Sequence, residues 1–341
     1  MKVNVWNTIL QLSKERGVEP RVIIQAIEES LRVASSKYFV HNEPIQVAFR
    51  PEKGELRVFA VKKIVDSVED KGHEISLEDA QKIHLEARPG DEIEIDLPSE
   101  TLGRIAAQAA KQVIFQKVRD AEHEKIYDQF APRLGEIITG IVRRFENQAI
   151  ILEVNKTDVI FPLREKLPAE EFRRGDMVKA VIIQVQKGIK GPQIIVSRAS
   201  PSFLAKLLEL EIPEIANGTV EIKDIVRQPG ERAKVAVVST EKDIDPIGAC
   251  IGVKGNRILS ITKELDGEKI DVIEWTSNPL AYAKAALSPA KVDRIFIQNK
   301  NDKTMQAIVP VDQLSLAIGR KGINVKLASR LLGWKISIKQ D

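Results

Sequence analysis

Hydrophobic and polar positions follow two different periods along the first third of the chain. Apolar residues recur at helical spacing over residues 5–12 and again over residues 22–34, which predicts two helices. Between residues 45 and 61 the period shortens to two, and Pro51–Gly54 divides the alternating run. Because proline and glycine at that point favour a turn, the pattern predicts a β-hairpin.

Three further elements are predicted before residue 132. Ser76, with Asp79 three positions later, is typical of the start of a short helix, here residues 76–85. Alternation over Glu92–Leu97 predicts a strand. Good helix formers then dominate residues 100–130, without proline, and predict one long helix that connects the front segment to the next.

The segment from residue 133 to residue 198 contains five short alternating runs with turn residues between them. Such closely spaced strands are typical of a small β-barrel. The segment resembles an S1 domain, which is a five-stranded barrel of the OB type. The resemblance rests on Gly135–Glu136, Thr139–Val142, Ile150–Val154, Phe161–Pro162, Phe172, Gly175–Asp176 and Ile195–Arg198.

The S1 resemblance implies a nucleic-acid face on the barrel. Phe145 and Phe161 are the candidate rings for stacking against bases. Arg143, Arg144 and Arg164 are the candidate phosphate contacts. The histidine that S1 domains usually place on this face is missing, so we expect weak intrinsic binding. The alternative is that the two phenylalanines belong to the barrel core.

An internal repeat occupies the rest of the chain. An offset of 67 residues aligns Gly252–Gly255 with Gly319–Gly322. The surrounding patterns predict the same order in both copies: helix, strand, strand, helix, Gly-x-x-Gly turn, helix, strand. Asp245 and Asp312 are placed to cap the helix before each turn. Since Ser277–Pro279 is the only break between the copies, we expect them to pack together.

The two Gly-x-x-Gly turns have the chemistry of an anion site. Glycines let another backbone approach closely, and the N-terminus of the next helix presents free N–H groups. Basic side chains between the glycines would add charge, and apolar neighbours such as Val237 and Ile308 would support bases. A single such turn is often purely structural, whereas two in one frame favour function. The candidate RNA contacts are Gly252, Val253, Lys254, Gly255 and Arg257 in the first copy, and Gly319, Arg320, Lys321, Gly322 and Lys326 in the second.

Each copy resembles a KH domain of the bacterial type II topology, whose GxxG loop holds about four nucleotides of single-stranded RNA. The fold class that we predict is therefore multidomain α+β. It comprises a helical and α+β front domain with a long connecting helix, an S1 barrel, and two tandem type II KH domains. The expected boundaries are 1–131, 132–198, 199–276 and 277–341.

Composition excludes several classes of protein. The 341 residues are 43% hydrophobic and 30% charged, as in foldable globular chains. With one cysteine and four scattered histidines we expect neither disulfides nor a metal site. The sequence has no membrane span and no secretory signal, so we expect a cytoplasmic protein. Residues 1–131 carry 19 basic and 23 acidic side chains, and residues 132–198 carry 12 and 8, so the two ends suit different partners, although such differences also arise by chance.

The order S1, KH, KH after an acidic front resembles the bacterial NusA family of transcription factors along essentially the whole chain. The stretches that carry the resemblance are ISLEDAQKI, GRIAAQAAKQVI, GPQIIVSRASPSFLAKLLELEIPEI, DPIGACIGVKGNRI, GEKIDVIEW and DQLSLAIGRKG. The resemblance implies that residues 1–131 dock on RNA polymerase core. The S1–KH–KH unit would hold nascent single-stranded RNA, with effects on pausing, termination and antitermination. Other antitermination factors are further possible partners, and we expect a monomer.

Enzymes and other RNA binders are the alternatives. The sequence has no Walker A motif, nucleophile elbow or HExxH motif, so we expect neither catalysis nor a cofactor. The acidic cluster Glu241, Asp243 and Asp245 is a weak Mg²⁺ candidate, and a helix cap with a solvated loop explains it better. An RNA-binding subunit of a degradation or ribosome-associated assembly stays open. In phosphorolytic enzymes, however, KH precedes S1 and accompanies a large catalytic core.

Overall fold

The computed structural model describes residues 45–50, 55–96, 118–188 and 191–340, with Phe115, Gln116 and scattered helical residues between 10 and 32. The two helices predicted before residue 35 and the hairpin turn at 51–54 lie mainly outside these residues. The described residues form two compact units, 1–126 with 189–191, and 127–188 with 192–341. Each unit is treated by itself.

The first unit is built on a long central strand. The hairpin strands β1 (Ile45–Arg50) and β2 (Glu55–Val65) pair antiparallel, which confirms the alternation pattern. Strands β3 (Glu74–Ser76) and β4 (Glu92–Asp96) also pair with β2. Helix α1 (Leu77–Ile83) follows β3, and the Ser76 hydroxyl accepts a hydrogen bond from the Asp79 amide as expected.

Residues 118–130 are helical, which confirms the end of the predicted long helix, whereas residues 101–114 lie outside the described part of the chain. Pro132 ends the helix, and a 3-10 turn spans Ala131–Arg133. The helix finishes on Phe130, whose side chain is completely buried. Among the residues that the structure describes, no helix is long and apolar enough to cross a membrane.

The predicted barrel is confirmed. Strands β5 (Ile137–Glu146), β6 (Ala149–Val154), β7 (Thr157–Pro162), β8 (Met177–Gly188) and β9 (Gly191–Ser197) close in the order β5-β6-β7-β9-β8. Gly140 lies where β5 and β6 approach most closely, because a Cβ there would stand 2.9 Å from side-chain carbons of Leu152 and Val154. A bulge between Val142 and Arg144 bends the same strand.

The two repeats have the predicted order of elements. The first contains α2 (Pro201–Glu211), α3 (Pro213–Ala216), β10 (Val220–Gln228), β11 (Arg232–Ser239), α4 (Pro246–Ile251), α5 (Asn256–Glu264) and β12 (Lys269–Glu274). The second contains α6 (Pro279–Ala286), β13 (Arg294–Asn299), β14 (Thr304–Val309), α7 (Leu314–Ile318), α8 (Ile323–Leu332) and β15 (Lys335–Gln340). In each sheet the first two strands are antiparallel and the third runs parallel to the second.

The repeats pack together, as expected from the short break between them. The face of the first sheet that points away from its own helices carries Val226, Ala236 and Ile273, and these share a core with residues of α6 and α8. On the same face, the buried Lys234 ammonium donates to the Asp271 carboxylate at 2.9 Å and to the Ser288 carbonyl at 2.8 Å. Burial lowers the pKa of Lys234, and Asp271 opposes that shift.

A second buried ion pair fixes the start of the first repeat. The Arg227 guanidinium donates two hydrogen bonds to the Glu268 carboxylate, at 2.6 and 2.8 Å, and both side chains are essentially inaccessible to solvent. Glu268 also accepts from the Gly230 amide, and Arg227 donates to the Arg198 carbonyl. Arg198 in turn binds Glu170 of the barrel and Glu264 of α5. The chain therefore joins barrel and repeat through connected charges.

Candidate nucleic-acid interface

The first Gly-x-x-Gly turn is a short, exposed corner between two helices. Asp245 caps α4 by accepting a hydrogen bond from the Ile247 amide, and Pro246 occupies the first helical position. Gly252 then ends α4 with φ 72° and ψ 179°, and Gly255 starts α5 in the left-handed region with φ 78° and ψ 10°. Lys254 between them is also left-handed, with φ 52°.

The second turn repeats this backbone closely. Gly319 has φ 75° and ψ 167°, Lys321 has φ 52°, and Gly322 has φ 75° and ψ 17°. One expectation is wrong: Asp312 does not cap the preceding helix. Pro310 is followed by a 3-10 turn at Val311–Gln313, which moves the start of α7 to Leu314 and leaves Asp312 bonded to the Gln313 side chain. The turn geometry therefore does not depend on that cap.

The first glycine of each turn is required for two reasons. Positive φ combined with ψ near 180° is a region open essentially to glycine alone. In addition, a Cβ at Gly252 would lie 2.8 Å from side-chain carbons of Arg257, and a Cβ at Gly319 would lie 2.7 Å from the Asn324 Cβ. The second glycines have more room, since a Cβ at Gly255 would meet its nearest atom at 3.9 Å.

This difference gives a stability prediction. Gly252→Ala is expected to lower the free energy of unfolding by about 2–3 kcal/mol, because strain adds to steric conflict. Gly255→Ala is the matched control, expected to cost about 1 kcal/mol for its left-handed backbone. Urea-induced unfolding of both variants measures the difference, and equal losses would show that the contact with Arg257 is unimportant.

Arg257 has a bracing role that the sequence pattern did not indicate. Its guanidinium donates to Glu214 at 2.8 Å and to the Ala249 carbonyl of α4, so it ties α5 to the helix before the turn. This corrects the expectation that Arg257 contacts RNA. Asn324, 67 residues later, donates to the Leu316 and Ala317 carbonyls of α7. The repeat offset alone would have paired these two residues, but their chemical difference concealed the shared role.

The exposed cations of the turns lie where the sequence predicted them. Lys254, Arg320 and Lys321 are exposed, and so is Val253 at 80%. Lys326 is exposed one helical turn after Gly322, with its Cε 3.7 Å from the position of a Cβ at that glycine. The amide groups at the start of α5 and α8 have no partner within their own helices. Each turn therefore combines backbone donors with mobile positive charge.

The apolar floor is only partly as expected. Ile251 and Ile318 are 39% and 38% exposed beside the turns and can contact bases. Val237 is completely buried, so its expected part in the floor is wrong. The strand registers pair Val237 with Glu274 and Ile308 with Lys339, which makes Ala236 the true counterpart of Ile308. A one-residue error in alignment had exchanged the two faces of the strand.

The barrel face carries one of its two predicted rings. Phe145 is 52% exposed on β5 and remains available for stacking. Phe161 is completely buried, with its ring edge-on to Phe172 at 5.9 Å between centroids. The expectation that Phe161 stacks on a base is therefore corrected, because the small barrel needs an aromatic ring to fill its interior.

The barrel arginines lie among acidic partners. Arg143 and Arg144 bind the Asp158 carboxylate at 3.1 and 2.8 Å, which raises the pKa of Arg144 above its usual value. Arg164 has a side chain 83% exposed and lies 3.6 Å from Glu165. A phosphate would have to compete with these carboxylates for the first two arginines, so the barrel offers a weaker anion site than the turns.

Catalytic and metal chemistry find no support at this interface. Within the described part of the chain, no group of three or more His, Cys, Asp or Glu side chains is arranged to hold a metal ion. Cys250 is completely buried in the core of the first repeat, which confirms the sequence interpretation. Burial raises the pKa of its thiol to about 11.

Comparisons with known proteins agree with the modules described. Three family models match: the NusA N-terminal domain over residues 4–124, the NusA-like first KH domain over 198–275, and the NusA-like second KH domain over 279–341. A solution structure of the N-terminal domain of NusA from Bacillus subtilis is 45% identical and covers 34% of this chain and 94% of its own, with a TM-score of 0.30.

Curated relatives extend the similarity to the full chain. The transcription termination/antitermination protein NusA of Bacillus subtilis is 44% identical over 341 residues, which is 100% of this chain and 92% of the relative. The protein of the same name from Thermus thermophilus is 38% identical over 340 residues, or 96% of this chain and 88% of the relative. With front domain, barrel and tandem KH repeats in one order, the chain belongs to the NusA family of transcription termination/antitermination proteins.

Proposed function

We propose that this chain is an RNA-binding transcription factor that docks on RNA polymerase and holds nascent RNA while transcription proceeds. The observation that carries the proposal is the duplicated Gly-x-x-Gly turn. Both copies have nearly the same backbone angles, exposed cations and helix N-termini. Two such sites on packed repeats suit one extended single strand better than a compact ligand.

The proposal divides the work between segments. Residues 1–131 dock on the polymerase core, and residues 132–198, 199–276 and 277–341 form the S1, first KH and second KH modules that contact RNA. The relatives are named for termination and antitermination, and we extend both activities to this chain, with pausing as the step at which they act. Docking raises the local concentration of RNA, so weak individual modules suffice.

Crosslinking of the full chain in a paused transcription complex tests the proposal. We expect RNA crosslinks in peptides containing Gly252–Gly255 and Gly319–Gly322, and polymerase crosslinks in residues 1–131. The chain carrying Gly255→Asp and Gly322→Asp should lose the RNA crosslinks and keep those to polymerase. Polymerase crosslinks confined to residues 132–341, or RNA crosslinks that survive the substitutions, would contradict the proposed division.

A further inference from the structure

The outer face of the second sheet is the feature that the proposed function leaves unused. The registers of β13, β14 and β15 place eight side chains on the side opposite α6 and α8. We call this set the outer sheet face: Arg294, Phe296, Thr304, Gln306, Ile308, Lys335, Ser337 and Lys339. Phe296 is 41% exposed there, and Lys335 and Lys339 are exposed.

The corresponding face of the first repeat has a different composition. There Lys234 and Arg232 are neutralised by Asp271, and the apolar Ile273 is buried against the second repeat. The registers place Ser337 at the position of Asp271 and Lys339 at the position of Ile273. The eight residues of the outer sheet face include three basic and no acidic side chains. A helix packed as on the first repeat would therefore bury uncompensated charge.

The arrangement of ring and charges on this face fits a single-stranded nucleic acid. Phe296 pairs across the sheet with Gln306, and Gln306 with Ser337, so the ring lies level with the middle of β15. Lys335 and Lys339 lie to either side of that level, about 13 Å apart along the strand. An exposed ring beside cations is the combination that holds bases and phosphates without base-specific hydrogen bonds.

The edge strand connects this face with the second turn. Strand β15 packs against α7, the helix that leads into Gly319–Gly322, through the side chains of its inner face. Its outer side chains are Lys335, Ser337 and Lys339. A strand of RNA that leaves the second turn can therefore pass over β15 onto the outer sheet face.

We propose that the outer sheet face is an additional contact surface for single-stranded RNA, on which Phe296 stacks against a base while Lys335 and Lys339 hold phosphates. This proposal rests on the RNA-binding function proposed for the two turns, and it lengthens the RNA path beyond them. Its specificity is low, because stacking and charge read neither the base edges nor their order.

The test uses the full chain and a fluorescent single-stranded RNA of mixed sequence, about 24 nucleotides long, to exceed the roughly four held by each turn. Lys335→Gln with Lys339→Gln should reduce the slope of log affinity against log salt by about 1.4, or 0.7 for each phosphate contact. Phe296→Ala should weaken binding about tenfold. The control Lys284→Gln with Lys291→Gln removes two exposed lysines elsewhere in the same repeat and should leave the slope unchanged.

A direct readout uses RNA that contains 4-thiouridine. Irradiation should crosslink it to the tryptic peptide Ile295–Lys300, which contains Phe296. Slopes equal to the control and no such crosslink would overturn the proposal while the turns still bind RNA, and so would a crosslink from this peptide to a protein of the transcription complex. Loss of binding in the Gly255→Asp, Gly322→Asp chain separates the two proposals: if the unsubstituted chain binds no RNA, the proposed function itself fails.

Discussion

The chain with Gly255→Asp and Gly322→Asp is expected to bind single-stranded RNA about a hundredfold more weakly than the unsubstituted chain. Each carboxylate would stand at the start of a helix where a phosphate is proposed to lie, so repulsion replaces attraction. A tenfold loss at each turn corresponds to about 1.4 kcal/mol, and the two losses add if the sites act independently.

The fold should survive these substitutions. Gly255 and Gly322 have φ of 78° and 75° with ψ near zero, a left-handed conformation that aspartate tolerates better than most residues. The nearest atoms to an added Cβ are 3.9 and 3.7 Å away. Thermal unfolding within a few degrees of the unsubstituted chain would verify that lost binding is not lost structure.

Asparagine at the same two positions is the matched control, since it has the shape of aspartate without the charge. Fluorescence anisotropy with the three chains then separates repulsion from obstruction. We expect Gly255→Asn with Gly322→Asn to lose much less affinity than the aspartate pair. Equal losses would mean that bulk alone closes the turns, and undiminished affinity in the aspartate chain would refute the role of the turns in binding.

Glu268→Ala is expected to lower the free energy of unfolding by about 3–5 kcal/mol. The substitution leaves the Arg227 guanidinium, only 1% exposed, without a counter-charge and the Gly230 amide without its acceptor. Removing one partner of a buried ion pair is costly because the remaining charge stays desolvated. Urea-induced unfolding followed by tryptophan fluorescence measures the loss, with Trp275 and Trp334 as reporters in the two repeats.

Two controls define the origin of that loss. Glu209→Ala breaks the exposed ion pair with Lys206, whose N–O distance is also 2.6 Å, and should cost less than about 1 kcal/mol. Arg227→Met combined with Glu268→Leu removes both charges and should recover a large part of the stability. If Glu268→Ala costs no more than Glu209→Ala, burial of the pair does not determine its contribution.

Local sequence patterns predicted those elements whose formation depends mainly on neighbouring residues. The alternation around β1 and β2, the cap at Ser76 and the duplicated turns all require only short stretches of chain, and the structure has each of them. The caps before the turns differed for a local reason that the alignment missed, because Pro246 directly follows Asp245 whereas Pro310 precedes Asp312 by two residues.

Side-chain roles were less predictable because they depend on neighbours that are distant in sequence. Phe161 and Phe145 are equivalent by residue type, yet closure of the barrel buries one and leaves the other exposed. Arg257 was a plausible phosphate contact until folding brought Glu214 and the Ala249 carbonyl within hydrogen-bond distance. The error at Val237 arose from register, which a single residue of misalignment inverts.

The order of modules, the paired glycines and the cations between them were determined by the sequence alone, because chain connectivity and left-handed backbone are local properties. The tertiary structure decided which charges are available. Packing of the second repeat buries one sheet face of the first together with Lys234 and Asp271, and leaves Lys335 and Lys339 exposed on the corresponding face of the second. Only the assembled repeats determine which cations remain in contact with solvent, since desolvation depends on the whole surroundings of a charge.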